Sequence, residues 1–131
     1  MSNWLAPENE IVGPSRIGIF DSGVGGLTVL RELYRQLPNE SILYFGDTAR
    51  LPYGSRSPEE ILQFVREILT WMAGQGVKMV MMACNTSSAL ALEQVQKEFP
   101  FPILGHMLVI MMLILASCCL MLRVDTVKWL V

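Results

Sequence analysis

Val77-Lys78-Met79-Val80-Met81-Met82-Ala83 runs straight into Cys84-Asn85-Thr86, and this stretch decides the fold. The first seven residues are short and almost wholly apolar, the mark of a strand covered on both faces. Polar, reactive residues then follow where a helix should begin. The same arrangement occurs twice upstream. Arg16 to Phe20 leads into Asp21-Ser22-Gly23-Val24-Gly25-Gly26, and Ser41 to Gly46 leads into Asp47-Thr48 and on to Pro52-Tyr53-Gly54. In a parallel α/β sheet such turns gather at the carboxyl ends of the strands, and ligands bind there.

The segments between these turns read as helices. Leu30, Leu33, Tyr34 and Leu37 recur at i, i+3, i+4 and i+7, which predicts a helix over 27–37 with those four residues buried. Pro38-Asn39 ends it. Ser57, Pro58 and Glu60 form the start signal of a second helix: an N-cap, a proline at the first position and the glutamate of a capping box. Ile61, Val65, Ile68 and Met72 are its expected buried stripe, and Gly74 and Gly76 suit its end. A third helix is expected from Thr86 or Ser87, either of which could cap it, to about Phe99. Pro100 and Pro102 stop it, and Ile103-Leu104 begins a fourth strand. The alternation predicts an α/β domain: a parallel-sheet, Rossmann-like three-layer unit with right-handed crossovers.

That domain is expected to span 16–105. Residues 1–15 carry Glu8, Glu10, Pro7 and Pro14 and lack the basic start and apolar core of a secretory signal, so they read as a mobile lead-in. From Met107 to Leu122 only Ser117 interrupts an apolar run, which sets 106–131 apart as a tail. It is somewhat short of the roughly 20 residues a membrane helix needs. Three readings apply to it: a membrane segment, a buried core element, or a sequence out of frame with the consistent patterning before it.

Composition narrows the function. With 131 residues, Lys+Arg 10 and Asp+Glu 12, the net charge is -2, and no basic stripe exists to hold nucleic acid. The cysteines are Cys84, Cys118 and Cys119, an odd count with two adjacent, which is a poor disulfide framework. A reducing, cytoplasmic setting follows. With a single histidine, no zinc spacing exists and no metal site is expected.

The chemistry is expected at the three turns. Asp21 to Gly26 is a glycine-rich βα turn whose N–H groups could hold a carboxylate or phosphate. It matches neither G-x-G-x-x-G nor a P-loop. Asp21 could orient an ammonium group or assist proton transfer, or it could simply cap the helix. Cys84 lies where a helix dipole and nearby N–H groups favour a thiolate. The alternative is an inert buried cysteine. Asn85 and Thr86 are placed to hold a substrate. In the Asp47–Gly54 loop, Tyr53 could close a site and Gly54 could donate its N–H, although Asp47 could equally be an ordinary turn residue. Arg31, Glu32, Arg35, Glu59, Arg66 and Glu67 belong to solvated helix faces, and Met79, Met81 and Met82 fill the core.

The segments IGIFDSGVGGLTVLREL, YFGDTARLPYG and MACNTSSALAL together resemble the first half of bacterial glutamate racemases, from about Arg16 to Gly105. The resemblance implies the first of two α/β domains in a cofactor-independent amino-acid racemase. In that family two thiols face opposite sides of the substrate Cα, one removing a proton and the other returning one. Cys84 corresponds to one of the pair, with Asp21 assisting. Asp21, Ser22, Tyr53, Gly54, Asn85 and Thr86 would hold the amino and carboxylate groups of glutamate, and D-glutamate would feed peptidoglycan synthesis. The family also implies a homo-oligomer.

The second thiol stands in a Gly-Cys-Thr-His context in the family, whereas Cys118-Cys119 stands in Ser-Cys-Cys-Leu, so neither takes that role. The 131-residue chain is therefore expected to be truncated and inactive. Two other functions compete: a membrane-tethered remnant that binds an amino acid, and a phosphate- or nucleotide-binding module built on Asp21–Gly26.

Overall fold

The structure, a computed structural model, describes residues 16–121, with side-chain surroundings up to residue 115. The strands are β1 (Arg16–Asp21), β2 (Ile42–Gly46), β3 (Val77–Met82) and β4 (Ile103–Leu104). The helices are α1 (Leu27–Gln36), α2 (Pro58–Gly74), α3 (Asn85–Glu98) and α4 (His106–Met121). Two single-turn 3-10 helices, Thr48–Arg50 and Tyr53–Ser55, lie between β2 and α2. All strand pairs are parallel, in the order β2-β1-β3-β4. Phe20 of β1 lies opposite both Phe45 of β2 and Met82 of β3. The expected parallel α/β sheet is what forms.

Alternation along the strands divides the interior into two cores. Phe20, Val80 and Met82 meet Ile61, Val65, Leu69 and Met72 of α2 and Ala91 and Val95 of α3. On the other face, Ile17, Ile19, Met81 and Ala83 meet Val29 and Leu33 of α1 and Val109 of α4. This is the period-2 pleat feeding two helical layers.

α2 starts as its sequence predicts. Ser57 Oγ accepts from the N–H of Glu60 at 3.2 Å, and Glu60 Oε2 accepts from the N–H of Ser57 at 2.9 Å. Such a cap contributes about 1 kcal/mol. Ile61, Val65, Ile68 and Met72 are all buried, joined by Leu69. At its other end Gly76 adopts φ 74°, a left-handed conformation that suits glycine.

α1 and α3 differ from expectation in one respect each. In α1 the buried residues are Val29 and Leu33, while Tyr34 is 52% exposed and Leu37 40% exposed. Two overlapping apolar stripes one residue apart are available, and a tight entry selects the one through Val29. A Cβ on Gly26 would stand 2.9 Å from Cβ of Asp21 and 3.0 Å from Cβ of Ala83, so the helix start is pressed against both turns. In α3 the N-cap is neither Thr86 nor Ser87. It is Cys84, extended at φ -87° and ψ 122°, whose sulfur accepts from the N–H of Ser87.

The apolar segment after Gly105 forms α4 and lies against the sheet rather than apart from it. Val109 is fully buried in the second core, with Leu113 beside it. The N–H of His106 donates to Ser88 Oγ at 2.9 Å, and Gln36 of α1 donates to the carbonyl of Leu113 at 3.3 Å. Because the run is apolar on every side, burial of one face leaves the rest outward: Met107 is 74% exposed and Ile114 62%. Among the described residues no helix is long and apolar enough to cross a membrane. The lead-in at 1–15 and the chain beyond 121 lie outside the described residues, as do the side chains of Cys118 and Cys119.

Candidate active site

The three turns meet at the carboxyl edge of the sheet because backbone hydrogen bonds carry the ladder one residue past the strands. Asp47 N–H donates to the carbonyl of Asp21 at 2.9 Å, and Ala83 N–H donates to the carbonyl of Phe20 at 2.8 Å. Each turn therefore leaves the sheet at a fixed height relative to its neighbours.

Asp21 is buried, and its Oδ2 accepts the N–H of Gly26 at 2.9 Å. This bond closes the glycine-rich turn ahead of α1, whose N-cap, Gly26, has no side-chain cap. Tyr44 of β2 sits against the same turn and donates to the carbonyl of Gly23 at 3.3 Å. Burial, and then the charge of Asp21, pushes the Tyr44 hydroxyl above its ordinary pKa.

Cys84 is buried with its sulfur between two partners. Its thiol donates to Ser22 Oγ at 3.4 Å and accepts the N–H of Ser87 at 3.5 Å. A thiol from the end of β3 is thereby joined to the hydroxyl of the first turn. Asn85 and Thr86 form the first turn of α3, Asn85 exposed and Thr86 half-buried.

Tyr53, which the sequence suggests could close a site, turns inward. Its ring is buried in the same core as Cys84, and its hydroxyl donates to Asp47 Oδ2. Burial, followed by that hydrogen bond and the Asp47 charge, holds the phenol far above its ordinary pKa. Arg50 Nε donates to the same carboxylate oxygen at 2.7 Å, and Arg50 reaches Glu67 of α2 at 2.6 Å. Gly54 follows on the exposed side of the turn, where an added Cβ would meet nothing within 4 Å.

Sequence reasoning singled out Asp47 only as part of a loop and placed Arg50 nowhere. The i, i+3 spacing of Asp47 and Arg50 was the available signal, and it is a weak one in a loop. Ser87, one of the two N-cap candidates in the sequence, lies inside α3, where its N–H serves the Cys84 sulfur; Ser88, not singled out in the sequence, donates its hydroxyl to the Cys84 carbonyl at 2.9 Å.

A separate cavity of about 340 Å³ opens on the α1 and α4 side of this edge, lined by Gly25, Thr28, Asn85, His106 and apolar residues of α4. Cys84 and Tyr53 do not line it. Among the described residues no group of three or more His, Cys, Asp or Glu could hold a metal ion.

Over 94 residues the chain is 83% identical to a glutamate racemase of Synechocystis sp.. This domain is homologous to glutamate racemase. The alignment takes in 72% of this chain but 34% of that relative, so the chain spans about a third of the length of the curated glutamate racemases it matches. The crystal structure of glutamate racemase from Thermus thermophilus, in complex with beta-chloro-D-alanine, superimposes with a TM-score of 0.67 at 49% identity, covering 70% of this chain and 36% of that one. The glutamate racemase of Francisella tularensis, solved with D-glutamate, gives a TM-score of 0.66 at 44% identity, covering 70% of this chain and 35% of that one. No family model matches the chain. The four-stranded parallel sheet and its flanking helices are thus shared with solved glutamate racemases.

Proposed function

We propose that residues 16–105 form the first-thiol domain of a cofactor-independent glutamate racemase. The observation that carries this is the setting of Cys84. Its sulfur caps α3, meets Ser22 Oγ and the Ser87 N–H, and shares a buried cluster with Tyr53 of the second turn. Racemisation without a cofactor needs a base that removes the Cα proton and an acid on the opposite face that returns one. A sulfur accepting an N–H bond at a helix start is suited to carry negative charge, since hydrogen bonds to charged acceptors are about twice as strong as neutral ones.

In this reading Cys84 takes or gives the Cα proton on one face of glutamate. Asp21 fixes the first turn and assists proton transfer there. Ser22, Asn85 and Thr86 face the substrate's amino and carboxylate groups. Tyr53 spends its hydroxyl on Asp47, so the Tyr53–Gly54 turn contributes through its backbone. Gly54 has the open space for a ligand to approach closely. D-glutamate bound to the Francisella relative supports glutamate as the ligand class. The thiol chemistry requires a reduced Cys84 and hence a cytoplasmic setting. A homo-oligomer and supply of D-glutamate to peptidoglycan synthesis complete the proposal.

The opposite-face thiol is assigned to no residue of this chain. The 131-residue polypeptide by itself is therefore expected to bind glutamate without racemising it. The test is alkylation of Cys84 by iodoacetamide, followed by peptide mass mapping. Glutamate should slow it, and nucleotides should not. Racemisation by the pure polypeptide, lost in Cys84→Ala, would overturn the one-thiol assignment. Protection by nucleotides but not by glutamate would overturn the racemase reading itself.

A further inference from the structure

We infer that Asp47 is the positioning residue of this site. Its carboxylate holds the Tyr53–Gly54 turn closed over Cys84. The inference rests on the reading above only in taking Cys84 as the reactive thiol.

The side chain of Asp47 is buried, a costly place for a carboxylate unless its oxygens are bonded. Two donors from the following loop converge on its Oδ2: the Tyr53 hydroxyl and Arg50 Nε at 2.7 Å. Its backbone is fixed independently, by the N–H bond to the Asp21 carbonyl at 2.9 Å. Asp47 is thus an anchor at the end of β2, tied to the first turn by its main chain and to the rest of its own loop by its side chain.

Arg50 braces the other end. It pairs with Glu67 on α2 at 2.6 Å and lies 4.4 Å above the centre of the Phe64 ring, which also packs against the Tyr53 ring, 5.8 Å away and tilted. Tyr53 is therefore gripped by α2 at its ring and by Asp47 at its hydroxyl. Tyr53 and Cys84 belong to one buried cluster, so what holds Tyr53 also fixes part of the packing around Cys84. A phenol used to bind substrate would be free to face it. This one is committed inward, and what it fixes is the position of its own backbone and of Gly54.

The experiment compares Cys84 alkylation, mapped by mass spectrometry, in the full chain and in Asp47→Ala, Tyr53→Phe and the double variant. Val65→Ala, a cavity in the α2 core, serves as a destabilised control. Loss of one buried hydrogen bond to a charged group should raise the Cys84 rate about tenfold in either single variant. The double variant should be no faster than the faster single one, because both changes break the same contact. Val65→Ala, at a matched melting temperature, should show a smaller rise. Additive effects, or rates that follow melting temperature alone across all variants, would overturn the positioning role. Tyr53→Phe keeps the ring and carries the comparison alone if Asp47→Ala does not fold. Protection by glutamate, measured in the same assay on the unaltered chain, is a separate readout: its failure would count against the glutamate reading and leave the Asp47 result standing.

Discussion

The sulfur of Cys84 lies 3.4 Å from Oγ of Ser22, although the two residues are 62 positions apart in the chain. The contact exists because β1 and β3 are adjacent and in register, with Phe20 opposite Met82. Among the described residues, this side-chain bond directly joins two of the three turns singled out in the sequence. Replacing Ser22 with alanine removes the thiol's acceptor while leaving the Ser87 N–H. The expected result is a changed rate of Cys84 alkylation at fixed pH with little change in melting temperature. An unchanged rate would mean that Ser22 has no influence on the thiol.

Gly26 is a tight point of the site. An alanine there would bring its Cβ to 2.9 Å from Cβ of Asp21 and 3.1 Å from the Tyr44 hydroxyl oxygen. The Cβ of Asp21 cannot retreat without moving the end of β1. Gly26→Ala should destabilise the domain by about 1–3 kcal/mol, as overpacking does. Chemical denaturation would measure it.

Gly54 should behave in the opposite way. An alanine finds open space there, so stability should change by less than about 0.5 kcal/mol. If a ligand approaches this turn, glutamate should protect Cys84 less well in Gly54→Ala. A calorimetric melt paired with the alkylation assay separates the two effects.

Tyr53 makes the domain sensitive to alkali. Burial, then the bond to Asp47, raises its pKa in the folded state above the ordinary value of 10.0. The unfolded chain loses this proton first as pH rises, so stability is full below about pH 10 and falls above it. Tyr53→Phe should flatten that alkaline limb of the stability curve. Urea midpoints measured from pH 8 to 11 would show whether it does.

Val109 tests the attachment of α4. Its side chain is fully buried between α1 and the sheet. An aspartate there buries an unpaired charge, which the helix can avoid only by leaving the sheet. Val109→Asp should accelerate amide exchange in α4 and along the Val29–Leu33 face of α1, while α2 and α3 stay protected.

Much of the fold was legible because local signals agreed. Ser57, Pro58 and Glu60 marked a helix start whose cap bonds are both present, and Ile61, Val65, Ile68 and Met72 marked its buried side correctly. α1 was misread at Tyr34 and Leu37 because periodicity cannot choose between neighbouring stripes. A close approach at Gly26, between residues far apart in sequence, makes that choice. The three turns were legible as a group for a topological reason, since parallel strands must all end on one edge. The partners within that edge were not. The alliance of Asp47 with Tyr53 and Arg50 depends on how a loop folds back upon itself, and nothing periodic announces it. The placement of α4 was illegible for a different reason: a run apolar on all sides carries no mark of which side faces inward.

The strand order β2-β1-β3-β4 has a consequence for the growing polypeptide. β2 can pair with β1 as soon as both have been synthesised. β3 then joins the free side of β1, and β4 joins the free side of β3. No later strand has to be inserted between two that are already paired, so the sheet can assemble in the order the ribosome delivers it. Until Met82 and Cys84 emerge, one side of β1 remains open, with Ser22 beside it awaiting the thiol it will meet. The site is thus a late product of synthesis, completed by the strand that also closes the exposed edge.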